Sequence, residues 1–97
     1  MQDIKEETPI EIAVFTTKFV IEDKKTIVLV THDIEDGAWR FFSDDSFENF
    51  EEVAKIVEFQ ELINMDNSLL QIVDLPLGYS ATRNDEFDNW KIVKDND

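Results

Sequence analysis

The chain holds a single imidazole, His32, with Asp33 beside it and Ser43 and Ser46 further along. A Ser-His-Asp relay needs the His in contact with both partners. Adjacent residues on a strand point to opposite faces, so Asp33 is poorly placed to orient His32. No nucleophile-elbow pattern surrounds either serine. His32 therefore reads as a solvated strand-end residue, and no catalytic residue is assigned. The carboxylates offer a second chemistry, because Ca²⁺ takes oxygen ligands. Asp33, Glu35, Asp36 and Gly37 superficially resemble the start of an EF-hand loop. The sixth and twelfth positions counted from Asp33 are Ala38 and Asp44, not the required Gly and Glu. Asp44, Asp45 and Glu48 form a further cluster with no known motif, and no metal site is assigned. Carboxylate pairs of the kind used in glycoside hydrolysis are so abundant here that any one pair carries no information.

What remains is recognition. From Asp33 to Glu52 the chain carries eight acids (Asp33, Glu35, Asp36, Asp44, Asp45, Glu48, Glu51, Glu52) and one base, Arg40. Such a run ordinarily forms a solvated surface. Where it is functional it meets a basic partner, and electrostatic steering speeds the encounter. Trp39 and Arg40 lie within the same stretch and are residue types that anchor interfaces. The expected partner-binding set is therefore these eight acids with Trp39 and Arg40. Trp39, Phe41, Tyr79 and Trp90 otherwise read as core aromatics on strands; whether Trp39, Tyr79 and Trp90 face inward or outward stays open. Arg40 and Arg83, the two arginines, read better as structural ion pairs than as anion sites.

The whole composition narrows the class. Ninety-seven residues carry 23 Asp+Glu against 9 Lys+Arg, a net charge of −14, with no Cys. Thiolate chemistry, disulfides and Cys-based metal sites are excluded. Binding to nucleic-acid phosphates needs a basic face that this chain lacks. Hydrophobic residues make up 42% and aromatics 11%, too much for an acidic disordered segment. No apolar run is longer than Ile27–Val30, which cannot span a bilayer, and the acidic start lacks a signal-peptide pattern. The expectation is a soluble, cytoplasmic protein with no membrane partner and no cofactor. Its charge should strain the folded state by self-repulsion. Added salt is expected to raise the melting temperature, and a flat or falling value between low and moderate salt would count against that strain.

These residues need a scaffold. Alternation predicts a strand from Ile10 to Ile21 after Pro9, a central strand over Thr26–His32, and a third over Ala38–Ser43 after an Asp36-Gly37 turn. Together they read as an antiparallel meander. Phe47 and Phe50 suggest a helical turn capped by Asp45 or Ser46; Ala54–Val57 extends it or forms a short strand, so the helix's extent over 46–57 stays open. Phe59, Leu62 and Ile63 mark a helix face, and Leu69, Ile72 and Val73 a second, capped within Asp66–Ser68 and closed before Pro76. Leu77–Arg83 and Trp90–Val93 read as a hairpin. The expected fold is α+β: one domain over residues 9–93, a mainly antiparallel twisted sheet packed by two or three short helices, with residues 1–8 and 94–97 as frayed termini.

The run Asp36-Gly37-Ala38-Trp39-Arg40-Phe41 is followed by Asp66-Asn67-Ser68-Leu69-Leu70, then by Asp74 to Arg83 and a late Trp90. Their order and spacing resemble a family of small bacterial domains grouped with the immunity proteins of polymorphic toxin systems. The resemblance spans roughly Phe15 to Val93. It implies an α+β fold and a protein-binding role, and it brings no catalytic residues. The expected function is a protein-binding module of immunity type with a basic, toxin-like partner. The alternatives are an accessory or regulatory domain that binds a basic protein, and a weak cation-binding protein.

Overall fold

A computed structural model describes residues 11–95. The expectations for residues 1–8, for Pro9 and Ile10 and for the last two residues lie outside that range. A single six-stranded sheet organises the chain. Its strands are β1 (Ala13–Thr17), β2 (Leu29–His32), β3 (Trp39–Phe42), β4 (Ala54–Glu58), β5 (Tyr79–Thr82) and β6 (Lys91–Lys94), in the spatial order β4-β1-β3-β2-β5-β6. Helices α1 (Lys18–Glu22), α2 (Phe50–Val53) and α3 (Phe59–Met65) and a 3-10 helix over Asn67–Ile72 complete it. This is the expected α+β class with a mostly antiparallel sheet.

The meander needs correcting. β1 pairs with β3, in parallel through Phe15 and Arg40, and not with β2. The long first strand is also broken. Thr17, itself still extended, ends the strand: its hydroxyl accepts a hydrogen bond from the Val20 amide, capping a one-turn helix where Val20 drops fully into the core. Lys24, in the left-handed region at φ 57°, turns the chain away behind that helix. The excursion through α1 carries the backbone past β3's position before β2 starts, so the β2–β3 hairpin folds back and places β3 against β1. The β-branched run through Val20 and Ile21 reads as strand by propensity; one capping hydroxyl and a buried Val overrule it.

The remaining ambiguity resolves locally. Ala54–Glu58 is a strand, paired antiparallel with β1 along its whole length. Helix α2 starts at Phe50, after Asn49 and not after the expected Asp45 or Ser46 cap. The expected spacing at Phe59, Leu62 and Ile63 gives α3, with all three buried. Asp66 caps the 3-10 helix by accepting from the Ser68 amide. β5 and β6 pair antiparallel as a hairpin, and β6 runs to Lys94. The Asp95 amide donates to the Gly78 carbonyl, which ties Lys94 and Asp95 to the sheet and shortens the expected frayed tail.

The sheet's two faces differ in kind. One carries Val14, Val30, Phe41 and Ala81, all buried, under Val20, Phe59, Leu62, Leu69 and Ile72. Thr16 sits there fully buried because its hydroxyl donates to the Phe41 carbonyl at 2.9 Å. The other face carries a row set by the strand register: Ile56, Phe15, Arg40, Thr31, Ser80 and Val93. Among the described residues no helix layer spans it, although Phe50 at the start of α2 packs on Phe15 and Phe42, and Ile56 and Val93 at the ends of the row are exposed.

Candidate functional site

The β2–β3 loop takes up the first three acids. The Asp33 amide donates to the Ala38 carbonyl, and the Gly37 amide donates to the Asp33 carbonyl. Gly37 then turns the chain at φ 72°, the left-handed conformation that the Asp-Gly pair anticipates. One oxygen of Asp33 accepts from the Glu35 amide and one oxygen of Asp36 accepts from the Ala38 amide. Arg40, on the open sheet face, spans both: its guanidinium donates to Asp33 at 3.1 Å and to Asp36 at 3.2 Å. The Ala38 amide, and then Arg40, hold the Asp36 carboxyl below its ordinary range against a smaller cost of burial. Asp33 and Asp36 are thus spent on loop structure and on neutralising Arg40. Glu35 projects, exposed, from the loop between them.

Beyond β3 the second group of acids divides in the same way. Asp45 accepts from the Ser43 hydroxyl at 2.7 Å and pairs with Lys25 at 3.2 Å. Those two partners, the hydroxyl foremost, keep its carboxyl low against some burial. Asp44, Glu48, Glu51 and Glu52 are exposed, and none makes an ion pair among the described residues.

An aromatic cluster that sequence reasoning missed joins the two groups. Phe47 and Phe50 fold back over the open face. The Phe42 ring lies 6.1 Å from Phe47 and 5.5 Å from Phe50, and Phe50 meets Phe15 edge-on at 6.2 Å. Arg40 lies over the Phe15 ring at 5.6 Å. A continuous path therefore runs over this face from the Asp33–Asp36 loop through Arg40, Phe15 and Phe50 to the acidic segment that begins at Ser43. The missing signal was Phe15, because nothing local in the sequence pairs residue 15 with residue 50.

The structure removes Trp39 from the candidate set. It lies on the core face, 4% exposed, against Phe59 and Phe41. Period-2 alternation sends Trp39 inward and Arg40 outward, so the two expected anchors cannot share a surface. Tyr79 and Trp90 are partly buried against the core. His32 stacks on Trp39 with ring centroids 4.1 Å apart, and its Nδ1 lies 2.7 Å from the Leu75 carbonyl oxygen. That oxygen only accepts, so Nδ1 carries the proton. Asp33 faces Arg40 instead, and Ser43 is bound to Asp45. His32, Asp33, Ser43 and Ser46 form no relay.

The residues quoted from the later motifs gather elsewhere, in a polar knot. The Arg83 side chain is 1% exposed. It donates to the Ile27 carbonyl, to the Ser68 hydroxyl and to Asp66, and it stacks over Trp90 at 4.1 Å. The Ser68 hydroxyl donates to Asp66 and accepts from both Arg83 and the Trp90 indole. One oxygen thereby fills its donor and both its acceptor positions. Burial alone would raise the Asp66 carboxyl, yet the Ser68 and Arg83 hydrogen bonds overcome it and hold the group below its ordinary value of 3.8. A carboxyl lowered by folding adds stability above its unfolded pKa, and that stability is lost as pH falls through the native value. The advantage of the wild type over Asp66→Asn is therefore expected to be full above about pH 4 and to shrink below it. Melting curves of both proteins between pH 6 and pH 3 check this, and a constant gap would refute it.

Among the described residues, no three His or acidic side chains converge closely enough to hold a metal ion. Likewise, no helix among them is long and apolar enough to cross a membrane. What the fold offers is a small sheet domain with one packed face and one open, acid-bordered face. The family model described as the immunity protein Imm33 domain matches residues 14–94. The chain belongs to the Imm33 family of immunity-protein domains. No match is found among curated proteins or among solved structures.

Proposed function

We propose that this chain is an immunity protein that binds a cognate toxin with a basic surface and inhibits it by covering that surface. Its membership of the Imm33 family carries the reading, and the net charge of −14 supplies the sign of the partner. Inhibition by occlusion needs no catalytic residue. It needs a stable surface complementary to the toxin, and association that outruns the toxin's action, which opposite charge accelerates. The protein acts in the cytoplasm, where a toxin would meet its targets. The test is co-expression with a candidate toxin encoded by an adjacent gene, and a neighbourhood that encodes none counts against the reading. Cells carrying both are expected to grow, and the two proteins to co-purify. Toxicity without protection, or the absence of a complex, would sink the proposal. A complex that forms without any protection would favour an accessory role for the same binding surface.

A further inference from the structure

Among the described residues, the open face of the sheet carries no helix layer spanning it. We infer that this face is the docking site for the basic protein partner, with Phe47 and its neighbours at the centre and the acids of residues 44–52 as the steering rim. This rests on the immunity reading above. Three observations support the assignment.

First, exposed apolar side chains gather at the β4–β1–β3 end of the face. Phe47 is 37% exposed and Ile56 68% exposed, while Phe15, Phe42 and Phe50 form the half-buried floor. Aromatic rings held by other rings are rigid anchors that lose little entropy on binding. Second, charge complementarity identifies the occupant. The segment that lays Phe47 and Phe50 on the face also bears Asp44, Glu48, Glu51 and Glu52, which lack ion-pair partners among the described residues. Unpaired carboxylates around an apolar floor fit a surface that presents Lys and Arg around its own apolar residues. A second copy of this chain would bring the same carboxylates together, and nucleic acid would add phosphates to them. Third, the base beside the aromatic cluster is already spent, and Lys91, the other base that the register puts on this face, lies on β6 at the far edge of the sheet. Arg40 is clamped by Asp33 and Asp36, so it supplies a fixed, neutralised patch of surface and does not repel a cationic partner.

The experiment is a binding titration of the full chain with a candidate toxin domain taken from a gene adjacent to its own, at low and moderate salt. Glu48→Lys/Glu51→Lys/Glu52→Lys is expected to slow association by about 10- to 100-fold at low salt and to flatten its salt dependence. Phe47→Ala is expected to weaken binding by at least about tenfold, chiefly through faster dissociation. Leu70→Ser on the 3-10 helix and Phe87→Ser in the β5–β6 loop change exposed apolar residues outside the cluster and are expected to leave affinity within about twofold. Circular dichroism and melting curves confirm that each variant is folded. The charge triple alters only exposed positions, so it tests the face even where Phe47→Ala fails that check. Tight binding that survives both face variants would overturn this assignment while leaving the immunity reading intact. So would a wild-type dimer in sedimentation that Phe47→Ala dissolves, since the face would then belong to a second copy. No binding by the wild type would overturn the immunity reading itself, and this assignment with it.

Discussion

Arg83→Met is expected to lower folding stability by about 3–5 kcal/mol, the largest loss available from any charged position in the chain. The size follows from what the guanidinium satisfies. With its side chain 1% exposed, Arg83 supplies the donor for the Ile27 carbonyl, one donor for the Ser68 hydroxyl and the counter-charge for Asp66. Methionine fills the volume and satisfies none of them. Each buried polar group left without a partner costs about 1–3 kcal/mol. The Asp66 side chain is 26% exposed, so water recovers part of its loss, and the total stays below a simple sum. Lysine does not rescue the position: it keeps the charge but lacks the planar fork that reaches three partners. Urea titration at neutral pH measures the effect as a lower midpoint at constant slope. Near-ultraviolet dichroism adds a local readout, because the Trp90 ring loses the cation stacked on it. A loss under about 1 kcal/mol, the range of a surface ion pair, would show that the knot is solvated in solution.

The second large effect is expected at Phe59→Ala, at about 3–5 kcal/mol. Phe59 opens α3 with its ring fully buried, 5.0 Å from Trp39 and 5.1 Å from Phe41. With Leu62 and Ile63 it closes α3 over the sheet, and truncation leaves a ring-sized void among side chains that cannot collapse into it. The contrast within one residue type makes the test sharp. Phe87 is 89% exposed, and Phe87→Ser is expected to change stability by no more than about 0.5 kcal/mol. Phe47→Ala falls between, since its ring rests on others but stays open to water. Equal losses at Phe59 and Phe87 by denaturant titration would overturn the assignment of the core face.

Part of this was legible in the residues alone. The β-branched run before His32 gave β2, the Asp36-Gly37 turn gave the hairpin to β3, and the spacing of Phe59, Leu62 and Ile63 gave α3. All three are local signals, read within one element. What escaped was set by non-local choices. Helix α1 depends on whether Thr17 caps or continues a strand, and Val20 decides that only when a core exists to receive it. The parallel pairing of β1 with β3 follows from α1, so missing the helix meant missing the sheet order. The acidic stretch was visible as a run. Its division into carboxylates consumed by Arg40, Lys25 and backbone amides and those left free depends on partners brought from other elements. Trp39 and Arg40 were grouped because they are adjacent, and the strand's own alternation separates them.

The sheet order also has a consequence for how the chain comes together. The β2–β3 and β5–β6 hairpins pair residues close in sequence, such as Val30 with Phe41 and Ser80 with Val93. The β1–β3 and β1–β4 pairings must close longer loops, Phe15 reaching Arg40 and Ile56, and the β2–β5 seam closes the longest, Val30 with Ala81. Loop-closure entropy must be met before such contacts repay it. The seam therefore joins two sections, and the Arg83 knot lies beside it, with the Arg83 amide bonded to the Val28 carbonyl and its side chain to the Ile27 carbonyl. A residue placed there governs docking of the C-terminal hairpin, so its loss should slow folding as well as weaken the folded state. Slower refolding of Arg83→Met would make the knot a latch on the assembly pathway, and a change confined to unfolding would leave it a buried ion pair alone.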